Sequence, residues 1–330
     1  MSKVSVVIPV FNSAPYIAKL AKCLLEQTME SIEFIFVNDY STDDSLKRLL
    51  NVIEEYPNRK VKIINNNKNV GSASSRNCGL DVATGDYVMF ADSDDWMEPD
   101  MVECLYKEIS GRGLNIVYSD YYESYSDKEV LINQDFGEDS QGCIYSMLSH
   151  GMHGSTWNKI YLRQFLLHVG ERFVDGADLF EDVGWNIRLF ASTDKIGYLP
   201  MAFYHYVQYN QSSIIHDTIS QKNRMRVMQR ILNIQVATDF LEAKGVMTPK
   251  LLKASHEMKL LAKTCLLNKH PFSWKRWMVT FPEADSTVWK SRQFTLNLKL
   301  LLWLLSKRCT MLYYLQKAIT SKLKSCYDGK

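Results

Sequence analysis

Paired cysteines, long apolar runs and an excess of charge are all missing from this sequence, and each absence removes a class of protein. The seven cysteines (Cys23, Cys78, Cys104, Cys143, Cys265, Cys309 and Cys326) are scattered, odd in number and never spaced as CxxC. That excludes a disulfide scaffold or a zinc knuckle and fits a reducing, cytoplasmic setting. No apolar run approaches the ~20 residues of a membrane span; the nearest, residues 300–305, is short and has Lys299 at its edge. The opening nine residues read as a strand start and lack the apolar region of a signal peptide. With 39 basic and 37 acidic residues the net charge is +2, so no overall field argues for nucleic acid. There is no internal repeat and no low-complexity segment. No GxGxxG follows the first apolar run, which excludes a dinucleotide oxidoreductase. What remains is a chain of 330 residues, 46% apolar and 23% charged, enough for one large domain or two smaller ones.

The first 120 residues alternate strand and helix signals with short connections. Residues 4–9, 32–38, 61–65, 87–91 and 116–121 are apolar, strand-like runs, and residues 15–27, 44–56, 74–83 and 99–110 have helical spacing. Such alternation predicts an α/β fold with a mostly parallel sheet covered by helices. Ligands of such sheets bind beyond the strands' carboxyl ends. Val10, Phe11 and Asn12 fall there, as do Asn38 and Asp39, and Asp92, Ser93 and Asp94, which implies one polar crevice. Beyond residue 122 the pattern weakens. Residues 157–165 and 180–190 read as short helices and 195–207 as an aromatic strand. After residue 220 the chain reads as helical, interrupted near Pro271 and Pro282.

Two acidic clusters carry the chemistry. An apolar strand, residues 87–91, runs directly into Asp92, Asp94 and Asp95. Side chains at i and i+2 share a face of an extended segment, so Asp92 and Asp94 can point together. Two carboxylates that close repel unless a cation lies between them. Oxygen ligands suit a hard ion such as Mg²⁺ or Mn²⁺. The alternative is an acidic turn capping the helix that begins near Pro99. The second cluster, Glu181-Asp182, opens an amphipathic helix, where two acids also favour the helix dipole.

Four motifs occur in order: VSVVIPVFN at 4–12, FVNDYSTD at 36–43, NVGSASSRNCG at 69–79 and GDYVMFADSDD at 85–95. Together they resemble the family-2 inverting glycosyltransferases with a GT-A fold, over roughly residues 3–216. The resemblance implies a Rossmann-like, mostly parallel sheet flanked by helices, with a helical C-terminal extension. It implies a catalytic domain over 1–218, divided into a nucleotide-sugar half (1–120) and an acceptor half (121–218), followed by a helical region over 219–330. In the donor site, Pro9, Val10, Phe11 and Asn12 would pass alongside the nucleotide base, and Asp39 would accept from a uracil imide N–H. Asn38 replaces the first of the family's two acids at that point. Asn69 and Gly71 would form a turn, and Arg76 would meet a phosphate or ribose. Asp92 would face the ribose or the ion, with Ser93 beside it, and Asp94 would ligate Mg²⁺ or Mn²⁺. Asp182 is implied as the base that takes the acceptor hydroxyl's proton, with Glu181 orienting acceptor or donor. Trp157-Asn158-Lys159 is similar to an acceptor-side segment, where Trp157 is either a sugar platform or a buried core residue. Val207 stands where related enzymes carry an Arg, and Ser212, Ser213 and His216 follow; His216 is either a third metal ligand or a solvated loop histidine.

The expected reaction moves a sugar from a nucleotide-sugar, UDP being the expected nucleotide, to a hydroxyl of a glycan or lipid-linked glycan of surface polysaccharide or lipopolysaccharide. The basic, leucine-rich tail over 289–330 reads either as a helical pair on the anionic inner leaflet or as a cap on the catalytic domain. A sugar-phosphate nucleotidyltransferase is the first rival, but residues 9–14 contain neither Gly nor a basic residue for its phosphate loop. A non-catalytic nucleotide- or glycan-binding relative is the second; it would have lost the acids that both survive here.

Overall fold

The computed structural model describes residues 2–134, 137, 139–210, 221–268 and 273–309. The chain divides into two compact units, Met1–Met247 and Thr248–Lys330. In the first unit, four strands make a parallel block in the order β3 (Lys60–Asn65), β2 (Ile32–Asn38), β1 (Val4–Val10), β4 (Tyr87–Phe90). Strands β1 and β2 are buried along their whole length, as continuous apolar runs between two helical layers must be. Past β4 the sheet becomes mixed. Strand β8 (Lys159–Leu162) is antiparallel to both β4 and β6 (Ile116–Ser124). Strand β9 (Ile196–Val207) runs parallel to β6 and antiparallel to the two-residue β5 (Trp96–Met97), and β7 (Glu129–Ile132) pairs with β6.

Residues 159–162 are therefore a strand and not the expected helix; the helix α6 starts only at Arg163 (Arg163–Val169). The reason is burial on both faces. Ile160 and Tyr161 are fully buried between β4 and β6, and so short an apolar run carries no period that separates strand from helix.

Two helical layers follow from strand alternation. Val6, Ile8, Phe34 and Met89 face one core with α1 (Ile17–Leu25), α2 (Ser45–Glu54) and α4 (Met101–Arg112). Val7 and Phe90 face the other side. There Gly79 of α3 (Ser72–Val82) lies so close to Val7 that a Cβ would sit 2.2 Å from its methyl group. Phe90 meets Trp185 of α7 (Glu181–Phe190) edge-on at 5.7 Å. Each large apolar side chain buried in this layer contributes ~1.5–3 kcal/mol. Helix α5 (Ser140–Leu148) and the long α8 (Gln221–Ala243) pack against α7. Helices α3 and α7 thus share one face of the sheet, the turn before α3 held by Asp39 and the first turn of α7 formed by Glu181 and Asp182.

The second unit contains α9 (Pro249–Thr264), α10 (Trp274–Val279) and α11 (Leu296–Ser306). Its core surrounds the buried Trp277, with Lys263 paired to Asp285 at 2.7 Å and Lys259 to Glu283 at 2.8 Å. Among the described residues no helix is long and apolar enough to cross a membrane.

Candidate active site

The loops after β1, β2 and β4 meet at the carboxyl edge of the parallel block. Asp39 N–H donates to the Val10 carbonyl at 2.8 Å, and the Ser13 and Ser93 hydroxyls lie 2.5 Å apart. Asn12, in left-handed backbone at φ 47°, accepts from Thr42 N–H at 2.8 Å. Phe11 and Tyr40 are exposed at the rim, while Pro9 and Val10 are the buried end of β1. Asp39 is buried, and its carboxylate already takes three donors of its own chain. Its Oδ1 accepts from Val70 N–H and the Asn66 amide, and its Oδ2 from Gly71 N–H at 2.8 Å. The Asn69 amide reaches the Asp39 carbonyl at 3.5 Å. Asp39 therefore fixes the turn that starts α3. Gly71 completes that turn at φ 91°, and a Cβ there would lie 2.2 Å from Asp178 Oδ2. Asp178 in turn accepts from Ala73 N–H at 3.0 Å, tying the turn to the segment before α7.

The two acidic clusters meet across Arg76. Its Nη2 donates to Asp92 Oδ1 at 2.7 Å and its Nη1 to Glu181 Oε1 at 2.6 Å. Its Nε is buried without a partner among the described residues. Burial alone would weaken the arginine's hold on its proton; Asp92, Glu181 and Asp182 outweigh that and raise its pKa. Glu181 also accepts from the Ser72 hydroxyl at 3.0 Å. In α7 every residue is buried except Asp182, which is half-buried. The helix begins after Phe180, held at φ 68°, a strained conformation for a bulky side chain. Burial, then the neighbouring charge of Glu181, push the Asp182 carboxyl up to about 7 against the pull of Arg76. Asp92 adds to that rise, as two acids of one cluster would.

Asp94 accepts from the Asn210 amide through Oδ2 at 2.7 Å, and Tyr16 donates to the same Asn210 at 3.2 Å. Burial, then Asp92, raise the Asp94 pKa. The side-chain bonds that hold this pair end on Asp92 Oδ1 and Asp94 Oδ2. As a donor set the two carboxylates fit part of the oxygen shell of Mg²⁺ or Mn²⁺. No third His, Cys, Asp or Glu joins them among the described residues. His216 lies outside the described residues, as do Ser212 and Ser213. Asp95 points away: buried, it accepts from Tyr204 OH at 2.9 Å and Val207 N–H at 2.8 Å. It anchors the acidic loop to β9, and Tyr204 OH also accepts from Asp92 N–H at 3.0 Å.

The family profile described as "Glycosyl transferase family 2" matches residues 5–166. Residues 5–166 are thus a glycosyl transferase family 2 domain. Glycosyltransferase GlyA of Streptococcus pneumoniae serotype 4 is 31% identical over 222 residues, 62% of this chain and 30% of GlyA. EpsH of Bacillus subtilis (strain 168) is 30% identical over 221 residues, 64% of this chain and 62% of EpsH. The chain thus spans less than two thirds of either relative. Among solved structures, S. aureus TarS 1-349 in complex with UDP-GlcNAc superposes with a TM-score of 0.58 at 18% identity, covering 92% of this chain and 87% of TarS. Mannosyltransferase PcManGT from Pyrobaculum calidifontis, in complex with GDP-Man and Mn2+, gives 0.57 at 17% identity, covering 97% and 83%. At those identities the likeness is one of fold, and the fold is GT-A.

Within this family-2 frame, Trp157 is a core residue and not a sugar platform. It is buried, stacked on Tyr204 at 4.5 Å and on Tyr206 at 5.5 Å. Lys159 is fully buried, with Nζ donating to the carbonyls of His153 and Ser155 and to Asn158 Oδ1 at 2.7–3.0 Å. Burial lowers its pKa to about 7 despite the charge of Asp182. Asp178 and Asn210 order the site although no motif in the sequence marked them, and Tyr204, expected only as a core ring of the aromatic strand, also does so through its hydroxyl. Asp178 stands in the same acidic run as Glu181, which was a usable signal. Asn210 and Tyr204 reach the acids through folding alone.

Proposed function

We propose that this chain transfers a sugar from a nucleotide-sugar, with UDP the expected nucleotide, to a glycan hydroxyl by a single inverting displacement. The observation that carries the reading is the Arg76 bridge between Asp92 and Glu181, which sets the acids of two distant motifs in one cluster. In this reading residues 1–120 serve the donor, 121–218 the acceptor, and 219–330 form a helical region. The base would lie against the 9–12 and 38–40 loops, whose exposed Phe11 and Tyr40 offer rings at the rim. Asp94 and Asp92 would hold Mg²⁺ or Mn²⁺, which would neutralise charge on a leaving diphosphate. Asp182 takes the acceptor hydroxyl's proton on a carboxylate oxygen, and a carboxyl that titrates near neutrality is matched to that duty. Glu181, engaged by Arg76 and Ser72, holds the helix start and leaves the base role to its neighbour. TarS with UDP-GlcNAc and PcManGT with GDP-Man and Mn2+ support a nucleotide-sugar donor and a divalent ion.

The test is hydrolysis of UDP-, GDP- and dTDP-sugars with and without Mn²⁺. One donor class should turn over, faster with the ion. Asp94→Ala should lower the stimulated rate by ~10²-fold or more. A rate equal to wild type would remove Asp94 as a ligand.

The acceptor in this reading is a surface polysaccharide or lipopolysaccharide, and α11 supports a peripheral contact with the cytoplasmic leaflet. Leu296, Leu300, Trp303 and Trp289 are exposed, and the two tryptophans lie 6.3 Å apart. Lys290, Arg292, Lys299, Lys307 and Arg308 surround them in sequence, the pattern of an interfacial helix. Residues 310–330, the rest of the basic tail, lie outside the described residues. Full-length chain should sediment with vesicles rich in phosphatidylserine, and Leu300→Ser/Trp303→Ser should remain in the supernatant. Equal sedimentation of the two would assign the apolar face to packing.

A further inference from the structure

A cavity of about 380 Å³ in the first unit has Trp96, Tyr125, Tyr209, Lys19, Glu129 and Ser124 in its walls. None of these belongs to the acidic cluster. Its volume falls among small-ligand sites, which span ~300–1,000 Å³. It adjoins the acidic loop through the backbone. Trp96 follows Asp95 directly, and Tyr209 precedes Asn210, whose amide holds Asp94.

One wall is rigid. Trp96 stacks on His205 at 3.4 Å, and Tyr122 covers the other face of that ring at 4.7 Å. His205 is buried, with Nδ1 2.7 Å from Glu129 Oε1 and Nε2 2.9 Å from Glu98 Oε1. The Lys19 ammonium sits over the Trp96 ring at 4.1 Å. The mouth is less covered: Tyr125 and Tyr209 are 38% and 43% exposed. With His205 and Lys19 against Trp96, the rings open to a ligand are those of Tyr125 and Tyr209, beside hydroxyls, one cation and one anion. Lys19 and Glu129 cancel, so no net charge draws a phosphate. Rings beside opposed polar groups suit a ligand with an apolar face and a rim of hydroxyls, which is the build of a pyranose.

We propose that this cavity, formed by Trp96, Tyr125, Tyr209, Lys19 and Glu129 beside the Asp94 loop, binds a saccharide unit of the acceptor glycan. The role in transfer rests on the glycosyltransferase reading above; the saccharide chemistry of the cavity does not.

The test applies fluorescently tagged full-length chain to a printed array of bacterial surface glycans, without donor or metal. Wild type should bind a subset of the glycans, and Tyr125→Ala and Tyr209→Ala should each weaken that binding at least about fivefold. Tyr209→Phe, which keeps the ring, should bind as wild type and guards against a folding defect. Donor hydrolysis by Tyr125→Ala should be unchanged. Wild type that binds no glycan, or alanine variants that bind as well as wild type, would overturn the subsite. Tyrosine-dependent glycan binding without hydrolysis of any donor would instead sink the transferase reading and leave the subsite standing.

Discussion

Asp182→Asn is expected to lower sugar transfer by ~10²–10⁴-fold, the usual contribution of a general base, and to leave donor affinity within about twofold of wild type. Asparagine keeps the shape and can still accept from Val183 N–H, but it cannot take a proton. The wild-type rate should rise with pH along an acid limb centred near 7, because only the ionised carboxylate accepts the proton. A second consequence concerns stability. The folded carboxyl titrates near 7 and the unfolded one near 3.8, so the folded chain holds that proton more tightly. Stability tied to this group is therefore full below the unfolded value, falls as pH rises towards 7, and is lost above it. The amide removes that cost. Its Tm should exceed wild type at pH 8, by about 2–4 °C for each kcal/mol removed in a unit of this size, and should match wild type near pH 4. An inactive variant that is also less stable at pH 8 would mean that Asp182 supports the fold. A variant that transfers normally would move the base elsewhere.

The parallel block and the carboxyl-edge loops were legible because their signals are local. Strands β1, β2 and β4 are unbroken apolar runs, and each ends in a polar loop at the one edge where such sheets leave room. The acidic clusters were legible for the same reason: Asp92 and Asp94, and Glu181 and Asp182, announce themselves as neighbours in sequence. What the residues did not reveal is how the side chains divide their partners. Asp39 reads as an acceptor for a base, yet the fold gives both of its oxygens to Val70, Gly71 and Asn66. Arg76 reads as a phosphate ligand, and the fold lays its two terminal nitrogens on carboxylates. Past β4 the alternation stops because the strands turn antiparallel and short. Lys159 in β8 is buried through hydrogen bonds to carbonyls that only the folded 153–158 loop brings near. Strand β5 has two residues, and its pairing with β9 carries no period at all.

Arg76→Met should be the most destabilising change in the site, costing ~3–5 kcal/mol, because it leaves a buried carboxylate without its counter-charge. Glu181 is the residue exposed by the loss: its side chain is 10% accessible and its Oε1 would retain only the Ser72 hydroxyl. Asp92, at 29%, can turn to water and loses less. Thermal unfolding should therefore fall by roughly 10 °C, at about 2–4 °C per kcal/mol for a unit of this size. Arg76→Lys keeps the charge but reaches one carboxylate at a time, so it should recover part of the loss. Glu181→Gln combined with Arg76→Met should be more stable than Arg76→Met alone, since the orphaned charge is then gone. The activity profile gives an independent reading. Arg76 pulls the Asp182 carboxyl down, so its removal should carry the acid limb above 7, and residual transfer should peak at higher pH than in wild type. A variant with wild-type Tm and an unmoved acid limb, but with weakened donor binding, would show that the guanidinium grips a phosphate as the motif alone implies. Loss of stability with an upward limb would instead make Arg76 the residue that holds the two acidic clusters at one site.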